Sequence, residues 1–244
     1  MQSKCFAMEK NILHCLIEMS NFMETKELIK EIKTQLRLSM NGVASQSMRE
    51  KGLNYKLNFG VELPRLKEIA RQYDQNHDLA QTLWKENVRE SKILAGMLQP
   101  IDSFFPEIAD IWVEDITNPE IAELTCMNLF QYLPYAPAKS FQWMADEREY
   151  VQACGFLLAA RLLGKGIEMN ERAEEEFFDQ TLVALLSPAY FSRKASSLAL
   201  TKYGLQSKEN AEKVIQLLAK EEYSEDEYVK SLLENIKLEI EYLL

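Results

Sequence analysis

The sequence predicts an all-α protein in which antiparallel helical pairs stack side by side. Apolar residues recur at intervals of three and four along most of the 244 residues, which is the spacing of one helix face. Only eight glycines and seven prolines interrupt the chain. A helical pair with an apolar stripe on each member cannot bury both stripes alone, so it needs like neighbours.

The segment 54–100 shows this pattern most clearly. Its first helix carries Pro64 in the first turn, where the missing N–H costs nothing, and its apolar stripe includes Leu63 and Leu66. Two more striped helices follow, and Pro100 stops the last of them.

Capping signals set the other helix boundaries. Asn118 and Pro119 predict an N-cap and a first turn, and Thr25 is expected to cap the helix after it. Gly164 and Gly204 are expected to close two helices at their carboxyl ends. The helices predicted outside 54–100 are Phe6–Met19, Lys26–Leu38, a short one within Ser39–Asn58, one that begins at Phe104–Pro106 and runs through Trp112, Ile121–Leu133, Ala138–Ala145, Glu149–Leu163, Arg172–Leu186, Phe191–Tyr203, Lys208–Lys220 and Glu225–Leu244.

The second members of the helical pairs resemble one another. Their starts are Val88, Ile121, Tyr150 and Phe191, which are separated by 33, 29 and 41 residues. Small residues such as Gly155 lie at matching places and allow neighbouring helices to approach closely. The intervals fit repeats of about 40 residues of the HEAT type. We therefore predict a right-handed α-solenoid of about six HEAT-like antiparallel helical pairs, forming one domain over residues 1–244.

Charge limits the classes of function. The net charge of −10 and the pI near 4.9 disfavour nonspecific nucleic-acid binding by the chain as a whole. The distribution is uneven, because Lys26–Tyr73 holds ten Lys or Arg against five Glu, a net of +5. A basic face on an acidic body is therefore compatible with the sequence.

Several features bear on location and metals. No stretch approaches the roughly 18 uninterrupted apolar residues of a membrane span, and the amino terminus lacks a basic-then-apolar export signal. The four cysteines show no CxxC pairing, which indicates reduced, buried thiols. His14 and His77 are too far apart in sequence to favour a metal site. We expect a cytoplasmic monomer that uses no cofactor and no metal and does not associate with membranes.

Three segments carry a resemblance to a known family. They are FGVELPRLKEIA from Phe59, LWKENVRESKILAGML from Leu83 and WVEDITNPEIAELTCMNLF from Trp112. They resemble the bacterial DNA alkylation repair proteins of the AlkD group over about residues 26–218, and most strongly over 54–204. The resemblance implies a curved stack of HEAT-like repeats whose concave, basic face holds duplex DNA by its backbone. The glycosylases of that family excise positively charged alkylated purines.

The resemblance also implies a catalytic set, namely an aspartate with flanking tryptophans and an arginine that contacts DNA. A carboxylate suits cleavage of the glycosidic bond because positive charge develops on the sugar, and tryptophan faces suit packing against that charge. In this sequence the two tryptophan positions carry Pro119 and Leu198. The arginine position carries Ala153, with Gln152 beside it, and the aspartate position carries Glu123. Glu123 is the candidate catalytic residue, and a solvated glutamate near a helix start is the alternative.

Basic side chains are the candidates for DNA contact. Arg89 and Lys92 precede the apolar run of one helix, and Arg193 and Lys194 occupy the same place in a later one. Equivalent positions of stacked repeats line one face, which would contact phosphates. The predicted DNA-binding residues are Lys56, Arg65, Lys67, Arg71, Arg89, Lys92, Arg193 and Lys194. Ordinary solvated charge is the alternative.

Three functions therefore remain open. The first is a DNA-binding member of the alkylation repair family with altered or absent base excision. The second is a protein-interaction scaffold, which the acidic surface would suit and which implies a protein partner. The third is an active alkylpurine glycosylase with a rearranged site.

The tryptophans Trp112 and Trp143 lie at helical spacing among apolar residues. This spacing favours core packing over stacking on DNA.

Overall fold

The computed structural model describes residues 23–219 and 227–243, and in them the backbone is helical apart from short connections. One isolated bridge between Leu57 and Val88 is the strand-like contact among these residues. The all-α prediction is confirmed. The predicted helix Phe6–Met19 lies outside the described residues.

The helices follow one another in a simple order. They are α1 (23–38), α2 (Gly42–Glu50), α3 (Leu63–Ala70), α4 (His77–Trp84), α5 (Arg89–Leu98), α6 (Pro106–Glu114), α7 (Pro119–Asn128), α8 (Ala136–Met144), α9 (Glu149–Gly164), α10 (Glu171–Leu186), α11 (Tyr190–Gly204), α12 (Lys208–Ala219) and α13 (Glu227–Ile240). The chain divides into two compact units between Phe104 and Phe105, which we call unit 1 and unit 2. A single domain over residues 1–244 stays a prediction.

Most predicted helices are observed close to their expected bounds. The N-cap at Asn118 is confirmed, since its side chain accepts a hydrogen bond from the Ile121 N–H at 3.1 Å and Pro119 is the first helical residue. The N-cap at Thr25 is wrong, because Thr25 is buried within α1. The predicted helix Ile121–Leu133 is interrupted, because α7 ends at Asn128 and a short 3-10 turn follows.

The predicted carboxyl-terminal glycines belong to their helices. Gly164 is the last residue of α9, and the left-handed backbone conformation falls instead on Gly166, with φ of 80°. Gly204 is the last residue of α11, and a Cβ there would lie 3.0 Å from Ile240. Gly204 therefore serves the packing of α11 against α13.

In unit 1, the loop 54–62 before α3 is held by a buried ion pair at the start of α5. The carboxylate of the fully buried Glu90 accepts hydrogen bonds from the Phe59 and Val61 N–H groups at 3.1 and 3.2 Å. The Arg89 guanidinium lies 3.0 Å from the same carboxylate and donates to the Val61 carbonyl at 2.9 Å. These bonds offset the large cost of placing two charges in a core.

The same loop passes against the start of α2 at Gly60. Gly60 has φ of 70°, and a Cβ there would overlap the Asn41 carbonyl oxygen and lie 2.6 Å from the Ser45 nitrogen. The Asn41 N–H donates to the Phe59 carbonyl at 2.9 Å, and the Ser45 hydroxyl donates to a loop carbonyl, that of Asn58, at 2.7 Å. The loop and α2 contact each other through backbone atoms here and leave no room for a Cβ, so this position requires glycine.

In unit 2, α9 is the central helix and packs against α7, α8 and α11. Its approach to α8 is closest at Gly155, where a Cβ would overlap the Met144 nitrogen and lie 2.8 Å from the Ser140 carbonyl oxygen. The predicted role of small residues in close helix packing is confirmed at this position. At Gly96 on α5, another small residue, no atom lies within 4 Å of the position that a Cβ would take.

Candidate nucleic-acid interface

The basic residues of α3 and its preceding loop, which we call the basic surface, are accessible on unit 1, and Glu62 and Glu68 are exposed among them. Lys67 and Arg71 are both exposed and lie four residues apart, so they share one face of α3, while Leu66 and Ile69 are buried on the other. Lys56 is also exposed, and its backbone N–H donates to the Asn87 side chain at 3.3 Å.

Arg65 has a more constrained position than its neighbours on α3. Its Nε donates to the Ser39 hydroxyl at 3.1 Å, and a terminal nitrogen lies 2.9 Å from the Glu68 carboxylate. Its side chain is 43% exposed, so the charge remains accessible from solvent. Arg65 thus joins α3 to the connection between α1 and α2.

Arg89 and Lys92 point into unit 1. Arg89 is 3% exposed and is committed to Glu90 and the loop 54–62. Lys92 is half-buried; its Nζ donates to the Trp84 carbonyl at 3.0 Å and lies 4.3 Å from the centre of the indole ring. This placement removes Arg89 from the residues that we propose to contact DNA, because exposing it would break a buried ion pair.

The predicted pair on α11, Arg193 and Lys194, has one buried and one exposed member. Arg193 is 8% exposed, and its Nε donates to the Ser187 carbonyl at 2.8 Å, which holds the connection before the helix. Lys194 is exposed. The first member of each predicted pair is therefore directed inward, and on α11 the second member remains available at the surface.

Helices α9 and α11 carry further cations on unit 2. Arg161 is half-buried in the last turns of α9. On α11 the residues Lys194, Leu198 and Lys202 are exposed or half-buried and lie four apart, so they form a stripe along the helix. The sequence interpretation did not include Lys202, although its spacing from Lys194 could have identified it.

The predicted catalytic residue lies on α7 in unit 2. Glu123 is exposed, one turn after the exposed Pro119. No hydrogen bond or ion pair within the described residues holds its carboxylate. At the predicted arginine position Ala153 is fully buried, and the neighbouring Gln152 donates to the Met144 carbonyl at 3.2 Å.

All three tryptophans of the chain are in its cores. Trp84, Trp112 and Trp143 are each at most 2% exposed. The Trp143 Nε1 donates to the Asp110 carboxylate at 2.9 Å, and its ring centre lies 5.0 Å from that of Phe130. The interpretation of Trp112 and Trp143 as core residues is confirmed, so no tryptophan is available to pack against a sugar.

Charge is distributed unequally between the two units. Described unit 1 (23–104) contains 13 Lys or Arg against 11 Asp or Glu, a net of +2. Described unit 2 (105–219 and 227–243) contains 12 against 21, a net of −9. Attraction for a polyanion is therefore stronger at unit 1.

No metal centre is visible in the described part of the chain, where no three His, Cys, Asp or Glu side chains converge. The thiols of Cys126 and Cys154 are buried and reduced, as predicted, and the Cys126 Sγ donates to the Cys154 carbonyl at 3.6 Å. Burial raises the pKa of the Cys154 thiol, which makes it a poor nucleophile. Cys5 and Cys15 lie outside the described residues.

Among the residues that the structure describes, no helix combines the length and apolar content needed to cross a membrane.

Comparisons with known proteins agree with this architecture. One solved structure shares the fold with a TM-score of 0.72 at 17% sequence identity, covering 88% of this chain and 95% of the other. That structure is described as a new family of proteins related to the HEAT-like repeat DNA glycosylases with affinity for branched DNA structures. The likeness confirms the predicted HEAT-like α-solenoid. No curated protein matches.

A family model described as DNA alkylation repair enzyme matches residues 32–232, which is most of the chain and includes both units. The resemblance found in the sequence is thereby confirmed, and this chain belongs to the DNA alkylation repair enzyme family.

Proposed function

We propose that this protein binds branched duplex DNA through the phosphate backbone and does not excise alkylated bases. The exposed basic surface of unit 1 carries the proposal, because it concentrates cations on a chain whose remainder is strongly acidic. The proposed contacts are Lys56, Arg65, Lys67 and Arg71 on unit 1, and Lys194 and Lys202 on unit 2. Affinity of a structural neighbour for branched DNA supports this choice of substrate.

The basic surface predicts a salt-dependent affinity. Each neutralised phosphate releases counterions, so the slope of log K against log salt reports how many phosphates the protein neutralises. In the variant with Lys67→Ala and Arg71→Ala, we expect the slope to fall by about one for each phosphate that is no longer neutralised. Fluorescence anisotropy with a labelled junction at several salt concentrations measures the slope.

Lys230→Ala provides the matched control for that experiment. Lys230 is exposed on α13 in acidic unit 2, so its removal changes net charge without touching the basic surface. The proposal requires an unchanged slope for this control. A slope unaffected by the Lys67 and Arg71 substitutions would remove α3 from the interface.

Base excision is expected to be absent. Three of the four catalytic positions implied by the resemblance carry Pro119, Ala153 and Leu198, and loss of one positioned electrostatic group typically costs about two to three orders of magnitude in rate. Such losses are not additive, but several together leave little activity. We expect no release of 3-methyladenine or 7-methylguanine from methylated DNA, measured by chromatography of the freed bases. Robust release that Glu123→Gln abolishes would show instead a working, rearranged site.

A protein-interaction scaffold is the second candidate. The acidic surface of unit 2 favours it, since a net of −9 suits a basic protein partner better than DNA. This candidate gains support if the purified protein binds neither junction nor linear DNA.

A further inference from the structure

Three large apolar side chains project where α1 ends and α2 begins. Leu38, Met40 and Val43 are 82%, 63% and 81% exposed, and we call them the apolar tip. They lie within six residues of each other, and the turn between them is tight, with the Met40 N–H bonded to the Arg37 carbonyl at 3.3 Å. Scattered exposed apolar residues are ordinary, but three within six residues, from the end of α1 to the start of α2, form a group that indicates an interaction site.

The backbone of the apolar tip is fixed by hydrogen bonds to the loop 54–62 and to α3. The Asn41 N–H donates to the Phe59 carbonyl, and the Asn41 carbonyl oxygen abuts Gly60 of the loop 54–62. The Ser39 hydroxyl accepts from Arg65 at 3.1 Å. These bonds fix the backbone from which the three side chains project. An apolar group presented on a fixed backbone loses little conformational entropy when it binds.

The surroundings of the apolar tip are cationic. Between Glu31 and Glu50 the chain contains Lys33, Arg37 and Arg49 and no Asp or Glu, and Lys33 is paired with Glu86. Arg37 and Arg49 are exposed, and Arg65 adds a third accessible charge through its bond to Ser39. The start of α2 contributes a partial positive charge, and no acidic side chain lies in its first turn. The complementary partner is therefore a polyanion that also offers apolar faces.

Branched DNA has both properties. Where the arms of a branched DNA are not stacked on one another, apolar base faces are exposed at the branch point beside closely spaced phosphates. Proteins commonly insert apolar side chains between base steps, and the unstacking that this requires is smallest where stacking is already broken. We propose that the apolar tip packs against unstacked bases at the branch point while Arg37, Arg49 and Arg65 contact the adjoining phosphates. This inference rests on the proposed function and adds to it the residues that distinguish a branch from a linear duplex.

The test compares binding of a four-way junction and of a linear duplex by the full-length protein and by the variant Leu38→Ser, Met40→Ser and Val43→Ser. We expect the variant to bind the junction about 10- to 100-fold more weakly, since its side chains bury no apolar surface against the bases, and to retain its affinity for the linear duplex. With 2-aminopurine at the branch point, the wild-type protein should change the fluorescence and the variant should not.

Two exposed apolar residues of unit 2 provide the matched control. Val183 and Leu238 are 64% and 66% exposed, and the variant Val183→Ser and Leu238→Ser should bind both DNAs as the wild-type protein does. All three proteins should share one melting temperature, because exposed substitutions alter stability little.

The outcomes separate this inference from the proposed function. Junction binding retained in full by the tip variant overturns the inference and leaves the proposed function standing. Absence of any DNA binding by the wild-type protein overturns both. Binding to vesicles of anionic phospholipid that the tip substitutions abolish, with junction binding unchanged, assigns the apolar tip to a membrane surface and also overturns the inference.

Discussion

Replacing Gly60 with alanine is expected to destabilise unit 1 by about 2–5 kcal/mol, from a strained positive φ together with steric overlap. The φ of 70° disfavours any residue with a Cβ, and that Cβ would meet the Asn41 carbonyl oxygen and the Ser45 nitrogen. Both obstacles are backbone atoms, so relief requires the loop 54–62 to move away from α2. Chemical denaturation of the purified variant measures the decrease in the free energy of unfolding.

Gly52→Ala isolates the effect of backbone strain. Gly52 has φ of 91° with open space around it, so the substitution there introduces strain without overlap. We expect destabilisation by about 1–2 kcal/mol at that position. Equal destabilisation at Gly52 and Gly60 would show that the close approach to α2 contributes nothing to stability.

Replacing Glu90 with alanine is expected to lower the free energy of unfolding by about 3–5 kcal/mol, because it leaves the buried Arg89 guanidinium without its partner. The substitution also removes the acceptor for the Phe59 and Val61 N–H groups, which would then be buried without a hydrogen bond. The loop 54–62 should open first. Hydrogen exchange would then show reduced protection at the Phe59 and Val61 amides together with a lower free energy of unfolding.

Glu68→Ala serves as the control for charge alone. Glu68 pairs with Arg65 on the surface of α3, where both side chains are well exposed, and such pairs contribute at most about 1 kcal/mol. Glu90→Gln keeps an acceptor oxygen, so its decrease in the free energy of unfolding should lie between those of Glu68→Ala and Glu90→Ala. Destabilisation by Glu90→Ala as small as that by Glu68→Ala would contradict the proposed role of the buried pair.

The sequence predicted the helices well because each one is striped and several carry local capping signals. Asn118 and Pro119 illustrate this, since a side-chain acceptor and a fixed φ determine a helix start with little help from the fold. The prediction of an N-cap at Thr25 is wrong because a threonine can also lie inside a helix, where tertiary contacts cover it. Gly60 lies in a segment that carries the family resemblance, but its close approach to Asn41 and Ser45 could not be predicted, because it depends on how the loop 54–62 packs against α2.

The candidate site was less predictable because sequence does not show which way a charged side chain points. Arg89 and Lys67 are both cations beside apolar neighbours in the sequence, yet one lies in the core with Glu90 and the other is exposed. The adjacent Arg-Glu pair was the available signal for burial. The apolar tip carries no periodic pattern, so its exposure follows only from the positions of α1 and α2.

A direct titration of a four-way junction and of a linear duplex of equal length tests the central claim. The full-length protein would be titrated against each DNA at about 50 and about 200 mM salt, a range in which reliance on phosphate contacts weakens binding by orders of magnitude. We expect saturable binding of both DNAs, tighter for the junction, with affinity that falls steeply as salt rises. No saturable binding to either DNA at the lower salt concentration would contradict a DNA-binding function for this protein.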